Sequence, residues 1–164
     1  MPNRRGATPQ PHELLLVVPV VQTRALAEGS LTIVSLEVYA EGFLVHSQMR
    51  YADKRGTDAA PDAKAAPGIW RRGDFASPEV LFEATDDRGG TYGCWSGGGY
   101  GGGAAPGEML WRRDYVFAPT LDPAARSLRL AISAVEWLSY GPATASPTIE
   151  ATQPVGWTFS IPLA

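Results

Sequence analysis

LTIVSLEVYA-EG-FLVHSQMRYA, residues 31–52, is the stretch that decides the fold. In residues 31–40, Val34, Leu36 and Val38 alternate with Ser35, Glu37 and Tyr39. A period of two places successive side chains on opposite faces of a half-buried strand. In residues 43–52, Phe43, Val45, Met49 and Tyr51 alternate with Leu44, His46, Gln48 and Arg50. The short link Glu41-Gly42 joins the two runs and predicts a β-hairpin.

Working outward, the same pattern recurs. Residues 14–22 are rich in Leu and Val but hold Pro19, which has no N–H for a ladder, so they predict an edge strand or a break there. Residues 79–85 place Val80, Phe82 and Ala84 on one face. Asp86-Asp87-Arg88-Gly89-Gly90 is turn chemistry, and residues 91–95 return as a second hairpin. Residues 109–118 put Met109, Trp111, Tyr115 and Phe117 on one face, with Arg113 interrupting it at a bulge or a rim. Leu128, Leu130 and Ile132 alternate, then Val135 and Trp137 continue in the opposite phase, which predicts a bulge near Ala134. Val155, Trp157, Phe159, Ile161 and Leu163 close the series. About eight strands and no helix predict an all-β domain, an immunoglobulin-like antiparallel β-sandwich, with a β-barrel as the alternative.

Two stretches lack this period. Residues 53–78 are rich in Ala, Pro, Gly and charge, and residues 96–107 are nearly all glycine; both predict long irregular loops. Residues 1–12 are polar with three prolines and predict a flexible tail before one domain, 13–164. Gly and Pro number 18 and 14 among 164 residues, a load that suits turns between strands better than helices.

Composition narrows function by exclusion. A net charge of −3 with scattered arginines gives no basic footprint for nucleic acid. No apolar run reaches a membrane span. The one cysteine, Cys94, excludes an internal disulfide and a cysteine-rich metal site. Arg4-Arg5, the apolar residues 14–21 and Ala25-Leu26-Ala27 imitate a secretion signal. Pro19 and Arg24 break the imitation, so a cytoplasmic chain is expected, with secretion as the alternative. The glycine run is not followed by the Lys-Ser or Lys-Thr of a phosphate loop. Asp86 and Asp87 are too few for calcium and read as turn anchors. His12 and His46 are the only histidines; His46 faces away from the apolar set, and pairing with Cys94 would be needed for nucleophilic catalysis. No catalytic residue, cofactor or metal is therefore predicted.

Aromatics carry what remains. Trp111, Trp137 and Trp157 lie in strand patterns and predict core. Trp70, Phe75, Trp95 and Tyr100 lie in or beside the irregular stretches, where exposed rings would serve a binding site. The expectation is a non-enzymatic module binding an unknown protein partner through the two irregular stretches or an exposed sheet edge; binding of a carbohydrate or small ligand by Trp70, Trp95 and Tyr100 is the alternative, and an enzyme of unrecognised type the third.

The 31–51 hairpin, the turn Asp86-Asp87-Arg88-Gly89-Gly90-Thr91-Tyr92, and Tyr115-Val116-Phe117-Ala118-Pro119 with Leu128-Arg129-Leu130 together resemble uncharacterised bacterial immunoglobulin-like sandwich proteins of the telokin-like kind. The resemblance implies a β-sandwich and brings no catalytic residue. Many such proteins are secreted or lipid-anchored, whereas this chain has no lipidation cysteine near its start.

Overall fold

A computed structural model describes residues 9–52, 76–139 and 147–163. These hold eight strands and no helix: β1 (Leu14–Leu26), β2 (Gly29–Tyr39), β3 (Gly42–Ala52), β4 (Ala76–Asp86), β5 (Thr91–Ala105), β6 (Glu108–Ala118), β7 (Ser127–Ser139) and β8 (Thr148–Pro162). All pairings are antiparallel, in the order β1-β2-β3-β6-β5-β4-β7-β8. The strands make one strongly curled sheet, a half-barrel, which fits the barrel alternative. No helix among the described residues is long and apolar enough to cross a membrane.

The curl wraps one core. Leu31, Ile33, Leu36 and Val38 of β2 face Phe43, Val45 and Met49 of β3, and Tyr115 and Phe117 of β6 continue the layer. Val80 and Phe82 of β4, Leu128, Leu130 and Ile132 of β7, and Phe159 and Ile161 of β8 complete it. Phe117 stacks on Phe43 with centroids 4.8 Å apart and meets Phe82 edge-on at 6.0 Å. Such ring pairs add specific geometry to the area they bury.

The two ends of the strand order meet through side chains. Gln22 Nε2 of β1 donates to the Ser160 carbonyl of β8 at 3.4 Å, and the Arg24 guanidinium lies 4.7 Å from the Phe159 ring centre. Inside the curl, β4 and β5 pair at only two positions, Ala84↔Tyr92 and Thr85↔Thr91. The second predicted hairpin is thus short, and β4 runs its main ladder with β7 instead. Where β4 and β5 diverge, the Val80 amide donates to the Tyr115 hydroxyl at 2.8 Å, and the Ser96 hydroxyl donates to Glu79.

Several expectations are corrected. Residues 96–105 are not a loop: β5 continues through the glycines, with Gly99↔Arg113, Gly101↔Trp111 and Gly103↔Met109 as pairs on β6, and only Pro106-Gly107 turn between the strands. Glycine supplies no side chain to such a strand, and Trp111 fills the gap. A Cβ on Gly101 would overlap the Trp111 ring, so only glycine lets the indole lie flat there. Gly97 and Gly98 form a bulge opposite Asp114. That places the irregularity in β5, whereas Arg113 keeps unbroken register with Ser47 of β3 and is buried on the inner face. Val34 does not share a face with Leu36 and Val38. It sits in a bulge between Ile33 and Ser35 and is 38 % exposed. Residues 76–78, expected in a loop, begin β4; residues 53–75 lie outside the described residues.

Other expectations hold. β7 shifts register between Ile132 and Ala134, as the phase change requires. The Asp86 turn is held as turn chemistry demands. Asp86 Oδ1 accepts from the amides of Arg88 and Gly90, each at 2.8 Å, and Oδ2 accepts from the Tyr92 hydroxyl at 2.5 Å. Gly89 takes φ +88°, which suits a residue without Cβ. Burial and the Asp86 bond push the Tyr92 hydroxyl pKa up to about 12.

Candidate functional site

The first strand carries an unusual surface. β1 lies at one end of the strand order, so among the described residues one side of its backbone faces no partner strand. Its residues Leu14, Leu15, Leu16 and Val17 are 52, 59, 40 and 50 % exposed. Val18 and Val20 pack against the core, and Leu26 is buried, so the strand is anchored at its C-terminal half. The contacts to β8 lie there too, at Gln22 and Arg24. The apolar run that imitates a secretion signal is therefore an integral strand, and its N-terminal half is an apolar edge.

Natural sheets usually guard edges with charge, proline or bulges. The other terminal strand, β8, carries Glu150, Pro154 and Pro162, with Gly156 at φ +63°. On β1 the guards are weaker. Pro19 removes one N–H, and the register shifts between Leu14 and Leu16 and between Pro19 and Gln22. Val21, at φ 46° and 72 % exposed, lies in the second irregularity. No charged residue stands between Leu14 and Thr23.

Of the aromatic set predicted for binding, the structure describes Trp95 and Tyr100. Trp70 and Phe75 lie outside the described residues. Trp95 and Tyr100 stand on the outer face of β5 rather than on a loop. Trp95 is half-buried; Tyr100 is 67 % exposed, and its hydroxyl accepts from Arg112 at 3.2 Å. The bulge at Gly97–Gly98 separates them, and no ring contact between the two is seen among the described residues. Trp111, Trp137 and Trp157 pack partly buried against the core, with Trp137 edge-on to Tyr51 at 4.9 Å.

The titratable groups that could act together are on the outer face of β2, β3 and β6. His46 Nδ1 lies 2.7 Å from Asp114 Oδ1, its Nε2 lies 3.2 Å from Glu37 Oε2, and the Tyr39 hydroxyl donates to Glu37 at 2.7 Å. The two carboxylates sit on opposite ring nitrogens, so they cannot converge with the imidazole on one metal ion, and no metal-binding cluster occurs among the described residues. Cys94 is buried on the inner face, across the sheet from His46, so no Cys–His pair forms. Burial pushes the Cys94 thiol pKa up, away from a reactive thiolate. This polar row was missed as a unit from sequence, because Asp114 is 68 positions from His46.

Burial alone would lower the His46 pKa, but hydrogen bonds to Asp114 and Glu37 and their charges outweigh it and raise the pKa. A raised folded-state pKa gives stability that is complete below the free-histidine value and lost as pH rises through the raised one. The unfolding free energy from urea titrations is therefore expected to fall as pH rises above the free-histidine value of about 6.5, by up to about 1 kcal/mol for so exposed a row. Asp114→Asn is expected to flatten that slope; an unchanged slope would mean that the row contributes nothing to stability.

Glu79 and Arg113 form a second charged pair, on the inner face, with Arg113 Nη1 3.6 Å from Glu79 Oε2. The Ser47 hydroxyl donates to the Arg113 carbonyl at 2.9 Å. The Arg113 guanidinium also lies 5.8 Å from the Trp111 ring centre.

No protein-family model and no curated protein matches the sequence. Among solved structures, the chain is similar to the conserved domain protein from Bacillus anthracis. The identity is 14 %, the TM-score 0.52, and the match covers 91 % of this chain and 49 % of that one. The likeness is one of fold. This chain spans about half the length of the structure it resembles.

Proposed function

We propose that the chain is a non-enzymatic protein-binding module that captures an extended segment by adding it as a strand beside β1. The observation that carries this reading is the row Leu14–Val17, four consecutive apolar residues exposed on a terminal strand. In strand addition the main-chain bonds of the edge supply affinity, and alternate side chains supply selectivity. Complete burial of a Leu or Val side chain contributes about 1.5–3 kcal/mol, so covering these half-exposed residues is worth roughly half that each. The added strand would extend the curled sheet without disturbing its core.

Kinship with telokin-like sandwich proteins belongs to this reading as well. The Asp86–Tyr92 turn supports it, while the continuous strand order favours the barrel.

The test is a fluorescence titration with a short peptide of alternating Val and Thr, against the same peptide N-methylated at alternate residues. The unmethylated peptide is expected to bind and the methylated one to lose at least about tenfold in affinity, since N-methylation deletes ladder donors. Val17→Lys is expected to weaken the unmethylated peptide. Equal binding of both peptides would contradict the proposal.

A further inference from the structure

We infer that the outer face of β2, β3, β6 and β5 binds an uncharged oligosaccharide, laid across the strands with a sugar ring on Tyr100. This site is separate from the β1 edge.

The register lines up a row of side chains across the sheet. Thr23 pairs with Thr32, Thr32 with Gln48, Gln48 with Arg112, and Arg112 with Tyr100. Paired residues share a face of the sheet. This face is the outer one, because Leu31, Ile33, Met49 and Arg113, each one position away along its strand, are buried inside. Neighbouring strands lie about 4.8 Å apart, so the row from Thr32 to Tyr100 spans about 14 Å.

Tyr100 is the platform. It is 67 % exposed, and its hydroxyl is tied to Arg112 at 3.2 Å. A Cβ on Gly98 or Gly102 would meet nothing within 4 Å, so the surface beside the ring is bare backbone. A pyranose presents C–H groups on its flat faces, which stack on an aromatic ring, and hydroxyls around its rim, which suit planar donors and acceptors. The row supplies both. Next to the ring stand the Arg112 guanidinium and the Gln48 amide, and the latter has no hydrogen bond among the described residues. Beyond them the Thr32 hydroxyl lies 2.8 Å from that of Thr23. Beside the row, Asp114 bonds His46 through Oδ1 while its side chain stays 46 % exposed.

Other occupants match this face less well. An extended peptide is held by a free ladder, and β2, β3 and β6 have a strand on each side. A globular partner needs an apolar centre, whereas the centre here is polar and most of the large exposed apolar residues lie on β1. Nucleic acid needs uncompensated cations, but His46 lies against Glu37 and Asp114, and Arg50 against Glu108.

The experiment is affinity electrophoresis of the full chain through gels that each hold one neutral polysaccharide: a soluble glucan, a galactomannan or a xylan. Retardation is expected in at least one, rising with polysaccharide concentration. Tyr100→Ala is expected to weaken the affinity at least about tenfold and Gln48→Ala about threefold. Ile149→Ala, on β8, is expected to leave it unchanged. Urea midpoints of the variants check that the fold is intact. No retardation in any of the three gels overturns the inference, and so does retardation that survives Tyr100→Ala. Retardation seen only with a carboxylated glucan also overturns it, because that result reports charge alone. Strand addition at β1 stands or falls separately, on the peptide titration.

Discussion

Phe117→Ala is expected to lower stability by about 3–5 kcal/mol, as truncation of a buried Phe does where the surroundings cannot collapse. Phe117 is fully buried on β6, between Phe43 of β3 and Cys94 of β5 by register. Its ring stacks on Phe43 and meets Phe82 from β4, so it joins the two flanks of the curled sheet. Deleting it removes the ring that spans the interior and leaves a cavity lined by those aromatics. Urea unfolding followed by Trp fluorescence measures the loss, and Phe117→Leu should restore part of it. A loss below about 1 kcal/mol would mean that the curl does not close on this ring.

Asp86→Ala is expected to cost about 3 kcal/mol, because hydrogen bonds to a charged group contribute about 1.5–3 kcal/mol each and do not add fully. The carboxylate holds the Arg88 and Gly90 amides and the Tyr92 hydroxyl. The Tyr92 bond is the largest of the causes that lower the Asp86 pKa. A lowered carboxylate pKa gives stability that is present above the ordinary value and lost as pH falls through the lowered one. Wild-type chain should thus lose stability on acidification below about pH 4, and Asp86→Ala should lose less. Asp86→Asn separates the parts, since its amide oxygen still accepts from the turn amides while the charge is gone. Thermal unfolding of the three proteins at neutral and acid pH tests this; equal stabilities would remove the turn from the list of fold determinants.

These two positions differ in how far the sequence declares them. The Asp86 turn is legible locally: the aspartates, the glycines and Tyr92 lie within seven positions, and their geometry is set by neighbours in the chain. The β2–β3 hairpin is legible for the same reason. Strand order is not. That β6 inserts between β3 and β5, and that β4 leaves β5 for β7, depends on contacts far apart in sequence.

The glycine-rich stretch shows the same limit. Its propensity favours a loop, but the paired β6 and the Trp111 ring over Gly101 hold it as a strand. Arg113 looks misplaced on an apolar face until Glu79, from another strand, is placed near it. For the candidate site, the sequence predicted an edge strand, or a break at Pro19, over residues 14–22. It did not show that Leu14–Val17 stay exposed, because apolar residues on a strand carry no mark of whether a neighbour covers them. Of the predicted aromatic set, Trp95 and Tyr100 prove to be strand residues on either side of a bulge that composition alone does not reveal.

If the β1 edge accepts a strand, amide hydrogen exchange followed residue by residue during the peptide titration will register it. Added peptide is expected to slow exchange within residues 14–18, while the amides of β5 and β8 keep their rates. Slowing confined to β5 around Tyr100, or to the edge of β8, would contradict it.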